Sequence, residues 1–173
     1  MNDIITESNM NFIADNAFYI EKSPIYTGLG KNVKSVEFIR SKGHKLFFVE
    51  AKSSFPDPSN PNPNPKKDNK TGKELFKEEI IDICDKFVHT LNLYSAVNVG
   101  VIENGFPAEF NPSQKVSLVF VLVINGFHKS WCDEVERALA NKLRESICID
   151  KIWKPEISVL NHEEAIKRKL SIA

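Results

Sequence analysis

The 173 residues predict an α/β domain in which a mixed β-sheet is flanked by helices. Three observations lead to this fold class. The β-rich segments 33–39 and 45–51 flank a turn that contains Gly43, which is the pattern of an antiparallel hairpin. Apolar residues between positions 73 and 95 recur with the spacing of an amphipathic helix. Residues 115–124 form an almost wholly apolar run with the length of a buried strand.

Weaker patterns complete a predicted order of α, β, β, β, long α, β, α, β. Residues 4–10 have weak helical character, and residues 12–20 are interpreted as a strand or as a short helix that leads into one. Ser130 is predicted to cap a second helix that reaches about residue 146. The buried stripe of this helix is predicted to consist of Trp131, Val135, Ala138, Leu139 and Leu143. A short strand at 157–160 and a polar helix at 163–170 follow.

Length and composition indicate a single globular domain. Single cores usually comprise roughly 100–200 residues, and 42% hydrophobic with 27% charged residues is ordinary for a folded protein. The 23 basic residues balance the 23 acidic residues, so a nucleic-acid partner would need a local basic patch. No apolar run reaches the roughly 20 residues of a membrane helix, and three scattered cysteines predict neither a disulfide framework nor a zinc site. We therefore expect a cytoplasmic protein that does not associate with membranes.

Residues 56–72 are rich in proline and asparagine and predict an irregular, mobile loop. The loop contains the only dense basic stretch of the sequence, Lys66, Lys67 and Lys70. These lysines are ordinary for a solvated loop, but they are also candidates for contact with a nucleic-acid backbone, which needs charge and no sequence information.

Three charged residues oppose their apolar surroundings. Glu37 interrupts one strand of the predicted hairpin, and Glu50 and Lys52 end the other. A buried carboxylate is usually protonated, paired or bound to a metal, because burial of an uncompensated charge is costly. Residues 50 and 52 project from the same face of a strand. A turn centred near Lys42 would place Glu37 opposite Phe47, and a one-residue bulge would bring it onto the face of Glu50.

These residues form a pattern suited to a hard cation. Two carboxylates and the carbonyl of Ala51 offer the oxygen ligands that Mg²⁺ or Mn²⁺ prefers. A lysine beside such an ion can orient water and stabilise the charge that develops on a phosphate.

The segments Val36-Glu37-Phe38-Ile39 and Phe48-Val49-Glu50-Ala51-Lys52-Ser53 resemble the core of the PD-(D/E)xK nuclease superfamily. The resemblance implies one nuclease-like domain over residues 1–173 with a restriction-endonuclease-like core (αβββαβ), extended by a C-terminal helix and strand. It also implies Glu37, Glu50 and Ala51 as ligands of Mg²⁺ or Mn²⁺, and Glu37, Glu50 and Lys52 as the catalytic residues. Some members carry a further glutamate on an N-terminal helix, and Glu7 and Glu21 are both candidates for that role.

The function predicted from these residues is metal-dependent hydrolysis of nucleic-acid phosphodiesters. The alternative is a non-catalytic interaction, immunity or regulatory protein on the same fold, in which the acidic hairpin is an ion-paired cluster and the long loop docks a protein partner. An enzyme acting on small molecules is disfavoured, because the sequence has no nucleophile–base pair and no cofactor-binding loop. The sequence leaves the oligomeric state open.

Overall fold

A computed structural model describes residues 4–30, 32–61, 63, 70–102, 105–110 and 115–172. The fold is mixed α/β, as predicted. In chain order its elements are β1 (Ile4–Glu7), β2 (Met10–Ile13), β3 (Ala17–Phe18), α1 (Pro24–Thr27), β4 (Phe38–Lys42), β5 (Lys45–Lys52), α2 (Gly72–Asn98), β6 (Ser117–Ile124), α3 (Lys129–Arg144), β7 (Glu156–Asn161), α4 (His162–Lys167) and β8 (Ser171–Ile172).

Five strands form a mixed sheet in the order β3-β4-β5-β6-β7. Strands β3, β4 and β5 are antiparallel neighbours, whereas β5, β6 and β7 run parallel. Every residue of β6 after Ser117 is buried, which fits its continuous apolar sequence and its position near the middle of the sheet. The antiparallel pairing of the predicted hairpin is confirmed, and β5 is the central strand of the sheet.

The sheet separates two apolar cores. On one face, α2 and α3 pack against side chains such as Phe48 and Phe120, and the ring of Phe87 from α2 stacks on Phe120 with the centroids 4.6 Å apart. On the other face, a three-stranded antiparallel sheet in the order β1-β2-β8 covers residues that include Val49 and Val121. The end of β5 therefore lies between the long helix and the small sheet.

Helix α2 matches the helix predicted at 73–95 and continues to Asn98. It begins with a capping box, in which the Thr71 hydroxyl accepts a hydrogen bond from the Glu74 amide and the Glu74 carboxylate accepts one from the Thr71 amide. Both bonds satisfy amides that a helix start leaves without a partner.

The prediction of helical character for residues 4–10 is wrong, since these residues form the β1–β2 hairpin. Ser8 and Asn9 connect the two strands with φ angles of 51° and 60°, the left-handed conformation of a tight hairpin turn. The hairpin is stabilised because Ile5, Met10 and Phe12 are buried against the sheet. No long helix precedes the five-stranded sheet in the described residues, so the first element of the αβββαβ order is missing there.

Strand β4 begins at Phe38, five residues later than predicted. The backbone before it bonds to α2 instead of to a strand: the Lys34 amide donates to Nδ1 of His89 at 3.1 Å, and the Val36 amide donates to the buried Thr90 hydroxyl at 2.9 Å. The hairpin turn is also tighter than predicted, because Lys42 pairs with Lys45.

Two predictions for α3 are corrected. Its N-cap is His128 and not Ser130, because the His128 ring accepts the Ser130 amide hydrogen bond. Trp131 is 54% exposed, and Cys132 takes the buried position beside it. The other predicted stripe members are buried or half-buried.

The described residues between positions 56 and 71 of the proline-rich loop form neither helix nor strand, as predicted, whereas Gly72 already belongs to α2. Phe55 anchors its start by packing against Phe76 and Phe127, and the Gly72 amide donates to the Asn60 carbonyl at 2.7 Å. Lys66 and Lys67 lie outside the described residues. All three cysteines are free thiols, and no helix in the described ranges has the length and apolarity needed to cross a bilayer.

Candidate metal centre

Glu50 lies on the face of β5 that α2 covers, and it is fully buried. Its Oε1 accepts a 2.6 Å hydrogen bond from the Lys86 ammonium and lies 3.6 Å from the Lys52 ammonium. Its Oε2 is buried with no hydrogen-bond partner among the described residues. Burial raises the pKa of Glu50 to about 7, although the charges of Lys86 and Lys52 oppose the rise.

Glu37 lies directly before β4 and is 7% exposed. The Val49 carbonyl accepts its amide hydrogen at 3.1 Å, although Val49 pairs with Phe38 in the strand register. Glu37 and Phe38 thus both lie opposite Val49, as in a β-bulge. This register places Arg40, and not Glu37, opposite Phe47, which corrects the predicted offset and moves Glu37 toward Glu50.

The Glu37 carboxyl lies close to other acidic side chains. Its pKa rises from 4.5 to about 9, first because of burial, then because of a hydrogen bond with Glu21 and the negative charge of Glu50. Its Oε2 has no hydrogen-bond partner in the described structure. Without a bound cation, the folded protein therefore disfavours the ionised form of this carboxyl.

Two further carboxylates converge on Glu37. One oxygen each from Glu7, Glu21 and Glu37 lie within 4.8 Å of one another. Glu7 ends β1 and also bonds to Lys22 at 3.3 Å. Sequence patterns left Glu7 and Glu21 as alternatives for one role, whereas the fold brings both to the same place.

Lys52 lies at the end of β5 with 22% of its side chain exposed. Its ammonium is 2.8 Å from Glu79 and 4.0 Å from Asp82, both on α2. The ammonium is thus held between acids of the helix and Glu50, close to solvent. This places Lys52 where a substrate could reach it.

The sequence analysis missed the three residues that α2 contributes, namely Glu79, Asp82 and Lys86. Their spacing puts them on one side of the helix, and this polar side borders the apolar stripe that includes Ile83 and Phe87. The sequence signal for these residues is a row of three charges along one side of a helix that otherwise packs on a sheet. Only the packing of α2 on β5 identifies Glu50 and Lys52 as their partners.

Two other candidate residues have defined contacts. The Ala51 carbonyl accepts a 3.0 Å hydrogen bond from the Ser8 hydroxyl, so it faces the β1–β2 turn; a carbonyl oxygen retains a second lone pair. Lys70 is ion-paired with Glu78 at 2.7 Å. Lys70 therefore lies against the first turns of α2.

The arrangement has the donor chemistry of a hard-cation site. Glu37 and Glu50 each have a buried carboxylate oxygen that the described protein leaves unsatisfied, and buried polar atoms without partners are rare in folded proteins. Carboxylates are the preferred ligands of Mg²⁺ and Mn²⁺. Among the described residues, the carboxylates close enough to share one ion are those of Glu7, Glu21 and Glu37, and Glu50 does not belong to this group.

Comparison with known proteins gives no matching family model, no matching curated protein and no matching solved structure. The nuclease resemblance stays a prediction that depends on the residues themselves.

Proposed function

We propose that this protein is a metal-dependent nuclease-like enzyme that hydrolyses nucleic-acid phosphodiesters. The observation that carries the proposal is the pair Glu37 and Glu50, two buried carboxyls that each have an unpartnered oxygen. Together with the Ala51 carbonyl they would hold Mg²⁺ or Mn²⁺, and Glu7 and Glu21 would complete the negative surroundings of the ion.

The strand order also supports the proposal. Three antiparallel strands, β3 to β5, are followed by α2 and by β6, which runs parallel to β5. This succession agrees with the βββαβ part of the order that the nuclease resemblance implies. The leading helix of that order is replaced in the described chain by the β1–β2 hairpin.

The partial exposure of Lys52 supports a role on the substrate. When bound, the ion would polarise a phosphate oxygen and lower the pKa of a water molecule. The partly exposed Lys52 ammonium would orient the attacking water and neutralise charge on the phosphate. Glu79, at 2.8 Å, would fix the position of that ammonium.

A non-catalytic interaction, immunity or regulatory protein is the second candidate, and one contact favours it. The Lys86 ammonium bonds to Glu50 at 2.6 Å, so a protein cation already neutralises part of the cluster. In such a protein Glu50 and its lysines would form a structural ion-pair network.

A cleavage panel tests the proposal directly. Single- and double-stranded DNA and RNA are incubated with Mg²⁺, Mn²⁺ or EDTA, and we expect cleavage only with a divalent ion. Lys52→Ala should abolish most turnover while metal binding persists, because the lysine acts on water and phosphate. Glu50→Ala should weaken metal binding itself. Lys45→Ala is the matched control, since Lys45 lies at the opposite end of β5 and pairs with Glu156 on the surface.

Thermal unfolding with and without Mn²⁺ separates the two candidates. A metal site predicts that Mn²⁺ raises the melting temperature of the wild type and of Lys52→Ala, but much less that of Glu50→Ala. A structural ion pair predicts that both single variants lose similar stability and that the double variant recovers part of the loss. Melting that is independent of metal, combined with such recovery, would contradict the nuclease proposal.

A further inference from the structure

The structure contains a concave site outside the candidate metal centre. It is a cavity of about 330 Å³ between the start of the proline-rich loop, the first turns of α2 and the start of α3. Cavities of this size lie at the lower end of the range for small-molecule sites, about 300–1,000 Å³. Its lining includes four aromatic and two acidic side chains, namely Phe55, Phe76, Phe127, Trp131, Asp57 and Glu134.

The aromatic side chains form one connected group. Phe55 contacts Phe76 and Phe127 with centroid distances of 5.5 and 6.0 Å, and Phe127 contacts Trp131 at 5.4 Å. Trp131 is nevertheless 54% exposed. An indole that remains exposed at the wall of an aromatic cavity offers a surface on which a planar ring can stack.

The acidic side chains determine which part of a ligand can approach. Glu134 makes no hydrogen bond or ion pair within the described part of the chain, whereas Oδ1 of Asp57 accepts hydrogen bonds from the amide and hydroxyl of Ser59. Carboxylates repel phosphate and accept hydrogen bonds from N–H groups. The cavity therefore suits a planar ring that carries amino donors.

Two elements also link the cavity to the candidate metal centre along the chain. Phe55 lies three residues after Lys52, the last residue of β5. Phe76 lies about one helical turn before Glu79, whose carboxylate contacts Lys52. A strand whose phosphate reached Lys52 would bring a neighbouring base to the cavity.

We propose that this aromatic pocket binds an amino-bearing nucleobase (cytosine, adenine or guanine) of the strand that is cut at the neighbouring metal centre. The assignment to a substrate strand rests on the proposed function, whereas base binding itself needs no ion. A quaternary ammonium ligand would also be attracted by aromatic rings and carboxylates. Such a group is much smaller than the cavity, and it would not account for the adjacency to Lys52.

Trp131 fluorescence tests the inference in a Trp153→Phe background, where Trp131 is the only tryptophan. Oligo(dC), oligo(dT) of the same length, and choline are titrated in EDTA. We expect saturable quenching by oligo(dC) and weaker binding of oligo(dT), because thymine lacks an exocyclic amino group. Phe76→Leu should weaken oligo(dC) binding by between about fivefold and about a hundredfold, the range for loss of one base–aromatic stack.

Phe18→Leu is the matched control, because it removes a ring that packs on Phe106, in another part of the same core, and it should bind like the parent. Glu134→Gln changes only an exposed side chain and should reduce the preference for oligo(dC), so it tests the proposal even if a core variant does not fold.

Saturation by choline without response to oligonucleotides, or unchanged binding by Phe76→Leu, would overturn the inference. Base binding without any metal-dependent cleavage would contradict the proposed function alone.

Discussion

Replacing Glu37 with glutamine should stabilise the protein above neutral pH. The folded-state pKa of Glu37 is raised from 4.5 to about 9, chiefly by burial and then by the neighbouring Glu21 and Glu50. Between these two pH values the unfolded chain has lost the proton while the folded protein retains it. The stability that this group contributes is therefore complete below about pH 4.5 and is lost as pH rises toward 9.

The size of the effect follows from proton linkage. A proton that is bound in the folded state but not in the unfolded state changes the free energy of unfolding by up to about 1.4 kcal/mol per pH unit. From pH 5 to pH 8 the wild type should thus lose up to about 4 kcal/mol through Glu37. Glutamine has almost the shape of the protonated acid and cannot ionise. Glu37→Gln and wild type should have similar stability at pH 5, and the variant should be more stable by a few kcal/mol at pH 8.

Urea unfolding at several pH values between 5 and 8, in EDTA, measures this difference. Glu156→Gln is the control, because it removes an exposed carboxylate from the same sheet and should leave the pH dependence unchanged. Parallel curves for wild type and Glu37→Gln would refute the reasoning, since they would mean that Glu37 is ionised in the folded protein. Saturating Mn²⁺ adds a second test: if the ion binds the carboxylate, the wild type should regain stability at pH 8 and the variant should regain less.

Two further substitutions test how the fold positions the site. Thr90→Val keeps the shape of the side chain but leaves the buried Val36 amide without its 2.9 Å acceptor, so chemical unfolding should show a loss of about 1–3 kcal/mol; no loss would mean that another acceptor satisfies this amide. Gly72→Ala should lower the melting temperature and increase proteolysis of the loop, because a Cβ at this position would lie 2.0 Å from the Asp57 carbonyl oxygen. Unchanged melting and proteolysis would mean that the loop can move away from α2 at no cost.

The central elements could be predicted because their sequence signals are long and unambiguous. The apolar run of β6 and the helical spacing of α2 each fit only one element type over many residues. The β1–β2 hairpin could not be recognised, because Ser8 and Asn9 are weaker turn signals than a pair that contains glycine. The early start predicted for β4 failed because tertiary contacts from α2 replaced strand pairing.

Only part of the candidate site could be predicted from the sequence. Glu37, Glu50 and Lys52 stand out because they are charged residues in apolar strands. Glu79 and Lys86 give a weaker signal, because charged residues are ordinary on a long helix. Their proximity to β5 depends on how α2 packs across the sheet, which is a property of the whole core and not of any segment.

The small sheet joins distant parts of the chain. Strand β8 pairs with β2 through Asn11 and Ile172, and the Arg40 guanidinium donates to the Lys169 carbonyl at 2.8 Å. On the ribosome, the β1–β2 hairpin is made long before β8, the third strand of the small sheet. Until β8 leaves the exit tunnel, the nascent hairpin exposes an unpaired strand edge.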